Sequence, residues 1–174
     1  MFKSNAYSLL EFIVTLMILT TTVAMAVPIF ENTILNSRRL TLVNEMVSAI
    51  HYGKSEAIKR QLEIVLCGTD DGLGCNHDEN WSRGWMVFSN VGGEQPPEID
   101  TEDEVLSFRQ LDGQNYVNSN RNSYVFRVVR RRSTNGTVVF CDRRGPESAK
   151  AVIVSPTGRP RVSTTYASGE ALEC

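Results

Sequence analysis

Two arginines flank a proline just after a glycine in SPTGRPRV, residues 155–162. Arginine presents a planar fork of donors that matches phosphate oxygens. Pro160 pushes Arg159 toward extended or polyproline geometry, and Gly158 lets backbone come close to a ligand. In an extended chain Arg159 and Arg161 face the same way, about 6.6 Å apart. That separation is comparable with the step between neighbouring phosphates on a nucleic-acid strand. Behind the pair stand Arg143, Arg144 and Lys150, with Arg130, Arg131 and Arg132 further upstream. The chemistry on offer is the holding of a polyanion by its phosphates; an ordinary turn with solvated side chains is the alternative.

The charge distribution bears on that choice. The 174 residues carry a formal charge of −2, but residues 1–60 sum to +2, residues 61–120 to −10 and residues 121–174 to +6. Such asymmetry points to a polyanionic partner for the basic third, with two solvated faces of opposite sign as the competing reading. Other chemistry is thin. The two histidines are His51 and His77, and no G-x-S-x-G, P-loop, H-E-x-x-H or dinucleotide fingerprint occurs. Neither an enzyme nor a cofactor is expected. The acidic run DTEDE, residues 100–104, lacks the ligand spacing of an EF-hand calcium loop.

Four cysteines remain: Cys67, Cys75, Cys141 and Cys174. In a small exported domain they read as two disulfides. Cys67 and Cys75 flank a Gly/Asp-rich loop and can meet locally, which leaves Cys141 for Cys174, one of three connectivities. Metal binding by Cys67, Cys75 and His77 is the rival, without a C-x-x-C or paired histidines to support it.

Export follows from the element that carries the domain. From Leu9 to Phe30 the one charged residue is Glu11, and a helix of that length spans roughly 33 Å, a bilayer core. The run is too long for a cleaved secretory signal and no small-x-small site follows it. Lys3 in the leader argues for a cytoplasmic N-terminus. Beyond Pro28, apolar residues recur at Leu35, Leu42, Val43, Met46, Val47, Ile50, Ala57 and Ile58, one helical stripe. One long helix is expected from about Leu9 to Arg60, apolar all round and then amphipathic, bent or locally melted at Pro28. Gly53 lies on a face where close packing is expected. Strands are expected at 62–67, 84–89, 104–108, 123–129, 137–142 and 150–155, around a polar loop at 90–104. Asn135-Gly136 predicts a hairpin joining the strand before Arg130 to the one ending at Cys141. The fold class is α+β, a long helix laid against antiparallel sheet.

The N-terminal residues A-YSLLE resemble the processing signature of type IV pilin-like proteins: a small residue, a cut, an aromatic residue, then apolar residues with glutamate fifth. The family favours glycine where Ala6 stands and phenylalanine where Tyr7 stands; both replacements are mild. The resemblance implies cleavage by a prepilin peptidase between Ala6 and Tyr7. Glu11 would then be the fifth mature residue. A carboxylate inside a bilayer is costly unless paired, and the new amine of Tyr7, or that of a neighbouring subunit, would pair it; a glutamate snorkelling at the interface is the alternative. The segments SEAIKR (55–60), VLC (65–67), W-SRGW-MVF (81–88) and SPTGR (155–159) are similar to the GspH/FimT group of minor pilins and pseudopilins. FimT-like proteins of DNA uptake carry a C-terminal G-R-x-R element, matched here by Gly158, Arg159, Pro160 and Arg161. The organisation so implied is a leader at 1–6, a transmembrane helix at 7–30, an amphipathic extension at 31–60 and a β-rich domain at 61–174. The chain would sit in the inner membrane with its domain in the periplasm, then join other pilins in a cell-surface pilus and bind DNA there for natural transformation. The alternative is a structural minor pilin or pseudopilin that primes assembly of a pilus or secretion pseudopilus without touching DNA.

Overall fold

The computed structural model describes residues 8–127 and 132–174. Ala6, Tyr7, Arg130 and Arg131, all singled out above, lie outside the described residues. The chain divides into two units, the first ending at Arg38 and the second Arg39–Cys174.

Helix α1 spans Leu9–Arg60. Its assignment continues through position 28, so the expected local melting at Pro28 is absent; proline removes one donor, and the helix keeps its remaining ladder. In the first unit Leu9, Phe12, Met17, Ile18, Leu19 and Met25 are all exposed, on every side of the helix. The hydroxyls of Thr15, Thr20, Thr21 and Thr22 donate to carbonyls three or four residues back, at 2.8–3.0 Å. These polar groups are therefore satisfied within the helix, as an apolar surrounding demands. By length and composition this helix can cross a membrane.

In the second unit the helix becomes one-sided. Leu42, Val43, Met46, Ile50 and Ala57 are buried and Val47 packs beside them. Gly53 belongs to the same face, where an added Cβ would stand 2.9 Å from the Phe126 ring. Ile58 departs from the expected stripe and is half exposed; one residue is a 100° step at 3.6 residues per turn, so Ile58 is carried off the face that Ala57 holds.

Eight strands follow: β1 Glu63–Gly68, β2 Gly84–Asn90, β3 Val105–Gln110, β4 Tyr116–Ser119, β5 Ser123–Phe126, β6 Gly136–Cys141, β7 Lys150–Val154 and β8 Pro160–Ser163. They form two four-stranded antiparallel sheets, ordered β3-β2-β1-β5 and β4-β6-β7-β8. Inward residues of both sheets, among them Ile64, Leu66, Val87, Val138, Phe140 and Val152, share one core with α1, Trp81 and Tyr124. Because side chains alternate across a strand, each sheet also has an outer face. On the first sheet it carries Val65, Cys67, Met86, Phe88 and Val125, with Cys75 and Ile99 packed on them. On the second it carries Val139, Cys141 and Ala151, covered by Leu172 and Tyr166 of the C-terminal tail. Disulfides join Cys67 to Cys75 and Cys141 to Cys174, the expected pairing. The sulfurs that the metal reading required are thus bonded to each other.

The expected strand pairing at Asn135-Gly136 is overturned as well. No hairpin joins β5 to β6: β5 pairs with β1, Val125 opposite Val65, whereas β6 lies between β4 and β7 in the other sheet. The two-residue turn favoured at Asn-Gly needs positive φ at both positions, and neither Asn135 nor Gly136 has it. The chain instead changes sheets here. The short strands β4 and β8, four residues each, carried too little pattern to be expected.

Candidate nucleic-acid interface

The sequence of the β7–β8 connection explains its shape. Ser155 N–H donates to Arg159 O at 3.0 Å, Gly158 N–H donates to Ser155 O at 2.8 Å, and Arg159 N–H donates to the Ser155 hydroxyl at 3.1 Å. Gly158 has φ +68° and is buried, with Ser133 Oγ, Lys54 Cδ and Phe126 Cδ1 within 3.3–3.5 Å of where its Cβ would be. Its role is to form the turn and seat it on the domain. Two further bonds pin the loop. Lys54 of α1 donates from Nζ to Thr157 O at 2.6 Å, and Ser133 N–H donates to Pro156 O at 3.0 Å.

From this seat β8 runs back along β7, Arg161 opposite Ile153 and Pro160 opposite Val154. Val152 and Val154 point into the core, so Arg159 and Arg161 occupy the outward register. Both are exposed, and β8 is the edge strand of its sheet. Among the described residues neither side chain has an ion-pair partner, which leaves two guanidiniums aimed at solvent along one free edge.

The other expected contributors lie elsewhere. Arg143 and Arg144 follow the end of β6, at the connection into β7, while Arg159 stands beyond the opposite end of that strand, which is itself about 13 Å long at 3.3 Å per residue. The Cys141–Cys174 bond ties the tail to the Arg143 end and does not draw Arg159 toward it. Arg144 is held internally: Nε and Nη2 donate to Asp142 at 2.9 and 2.6 Å. Asp142 is buried and also accepts from Arg39 Nη1 of α1 at 3.2 Å. These hydrogen bonds, Arg144's first, hold the Asp142 carboxyl down to about 2 and push the Arg144 guanidinium up. Lys150 pairs with Phe140, the inward register, so it stands on the face opposite Arg161. Tyr166 packs on the outer cluster, and its hydroxyl takes the Glu173 N–H. Lys54 is the neighbour that no local signal announces, since it meets Thr157 across 103 residues.

A family described as "Type II transport protein GspH" matches residues 42–158. The chain belongs to the GspH family. The solved structures agree on the fold of this GspH-family chain. It is similar to the type IV minor pilin FimU of Pseudomonas aeruginosa PAO1 in two crystal forms. In one the TM-score is 0.54 at 13% identity, covering 71% of this chain and 91% of FimU. In the other it is 0.53 at 13% identity, covering 73% and 89%. No curated protein sequence matches the chain significantly. The protein is pilin-like, and its exposed apolar helix fits a membrane-anchored pilin with a soluble domain. Pilin-like membership implies association with other pilins in a fibre.

Proposed function

We propose that this chain is a minor type IV pilin that binds DNA by its backbone, through Arg159 and Arg161, to support DNA uptake in natural transformation. The observation that carries the proposal is the pair of exposed guanidiniums at the start of the free β8 edge, without ion-pair partners among the described residues and projecting from a turn pinned by Lys54 and Ser133. The contact reads phosphates and not bases, so affinity is in the micromolar range of non-specific binding. Several subunits on one strand then gain by avidity. Arg143, at the other end of the sheet, is exposed and offers a more distant contact to a long polymer. Before assembly the prepilin peptidase cuts between Ala6 and Tyr7 at the inner membrane, and Glu11 is neutralised by the amine so made.

A second reading is favoured by the family match itself, whose description is of a transport protein: a structural pseudopilin with no DNA contact. The two readings separate on one experiment. Fluorescence anisotropy of a labelled duplex with the full chain in detergent is measured over a salt series. Arg159→Gln with Arg161→Gln should abolish binding, or flatten the log–log salt slope by about 1.8 at 0.9 per phosphate contact, while piliation stays intact. Wild-type binding by the double variant would place the contact elsewhere; loss of pili would favour the structural reading.

A further inference from the structure

Around the β7–β8 turn the fold gathers cations from four separate stretches of sequence. Gly136, Val154 and Pro160 form one row across β6, β7 and β8, and Lys54, Arg121, Arg127 and Arg132 surround that end of the domain. Most are engaged by acceptors of the protein itself. Lys54 Nζ is on Thr157 O. Arg121 Nε donates to Asn135 O at 3.1 Å. Arg127 Nε donates to the Glu63 carboxylate at 2.7 Å. Each of these three is thus tethered to an acceptor of the protein, and a phosphate would meet only the N–H donors left over.

Arg132 differs. It is exposed, and among the described residues its guanidinium has neither an ion pair nor a hydrogen bond; only its carbonyl is used, accepting from Arg127 Nη1 at 3.4 Å. Its place is set by its neighbour. Ser133 N–H bonds Pro156 O at 3.0 Å, and Ser133 Oγ would stand 3.3 Å from a Cβ on Gly158. Ser133 and Gly158 therefore touch, and Arg132 and Arg159 are the residues next to them in the chain. Thr134 N–H then bonds Val125 O of β5. The segment that changes sheets thus delivers Arg132 beside the turn, from a position 27 residues earlier than Arg159 in the sequence.

We infer that Arg132 is a third phosphate-contacting residue of the Arg159–Arg161 site, so that the DNA track crosses from the edge of the second sheet toward the first. This rests on the DNA-binding reading above. Each neutralised phosphate adds about 0.9 to the log–log salt slope, equivalent to roughly eightfold in affinity near 0.1 M salt.

The test uses the full chain in detergent and a fluorescein-labelled random-sequence DNA duplex, titrated between about 50 and 200 mM salt. Arg132→Gln should weaken binding five- to tenfold near 0.1 M salt and reduce the slope by about 0.9. Arg132→Lys keeps the charge and should keep the slope. Arg83→Gln, at an exposed arginine just before β2, should leave both quantities unchanged. If Arg159→Gln with Arg161→Gln abolishes binding while Arg132→Gln keeps the wild-type slope, or loses no more affinity than Arg83→Gln, the inference about Arg132 is overturned alone. If the Arg159/Arg161 double variant binds like wild type, the DNA contact lies elsewhere on the chain and this inference falls with the Arg159–Arg161 site.

Discussion

Asp142→Asn tests the joint between helix and sheet that holds the second unit in shape. Asp142 is buried at the end of β6 and accepts from Arg144 at 2.6–2.9 Å and from Arg39 of α1 at 3.2 Å. Burial pushes the Arg39 guanidinium below its usual value even with Asp142 beside it. Removing the carboxylate takes from that buried cation the acceptor it holds at 3.2 Å, and breaking such a buried pair costs about 3–5 kcal/mol. The pH dependence gives an independent magnitude. The carboxyl lies at about 2 in the fold against an ordinary 3.8, a difference equivalent to roughly 2.5 kcal/mol. Since the folded value is depressed, this stabilisation is complete above pH about 5 and is lost as pH falls through about 2. Denaturant unfolding of the full chain in detergent can be followed through Trp81 and Trp85, both buried. Asp142→Asn should be less stable than wild type by at least about 3 kcal/mol at neutral pH, and that gap should narrow by roughly 1.8 kcal/mol on acidification from pH about 4 to 2. A neutral-pH loss under about 1 kcal/mol, or a gap indifferent to acid, would refute the reasoning that this carboxylate is structurally committed.

Two further outcomes are expected. The Cys141–Cys174 bond closes a loop with a sequence separation of 33, so replacing both cysteines by serine should cost roughly 3–4 kcal/mol on the chain-entropy model. Equilibrium denaturation measures that loss, and non-reducing peptide mapping should yield Cys67–Cys75 and Cys141–Cys174 peptides; a Cys67–Cys141 peptide would contradict the pairing. Mass spectrometry of the protein from membranes of cells bearing the prepilin peptidase should find Tyr7 as the mature N-terminus, and a different start, or a freely secreted product, would remove the processing proposal.

Much of this protein was determined by sequence patterns that act over a few residues. The uninterrupted apolar run, the 3.6-residue stripe from Leu42 to Ala57 and the β-branched runs of β1, β2, β6 and β7 each follow from side chains meeting neighbours within a turn or across a strand. The Cys67–Cys75 bond belongs here too, because its partners are eight residues apart. Pairing of β5 and β6 was not legible: Asn135-Gly136 carries a local turn preference, and the competing registers of β5 on β1 and of β6 between β4 and β7 prevailed over it. Nor was the composition of the arginine site. Sequence proximity suggested Arg143, Arg144 and Lys150 as companions of Arg159 and Arg161. The fold put the first two at the far end of β7, tied Arg144 to Asp142 and turned Lys150 to the opposite face. It brought Lys54 instead, onto the Thr157 carbonyl. Whether a charge is available depends on which acceptor lies within about 3 Å of it, and those acceptors come from remote stretches, as with Arg39 and Asp142 or Lys54 and Thr157, each separated by 103 residues. Periodicity carries no information at that range; only the closing of the two sheets over α1 decides it.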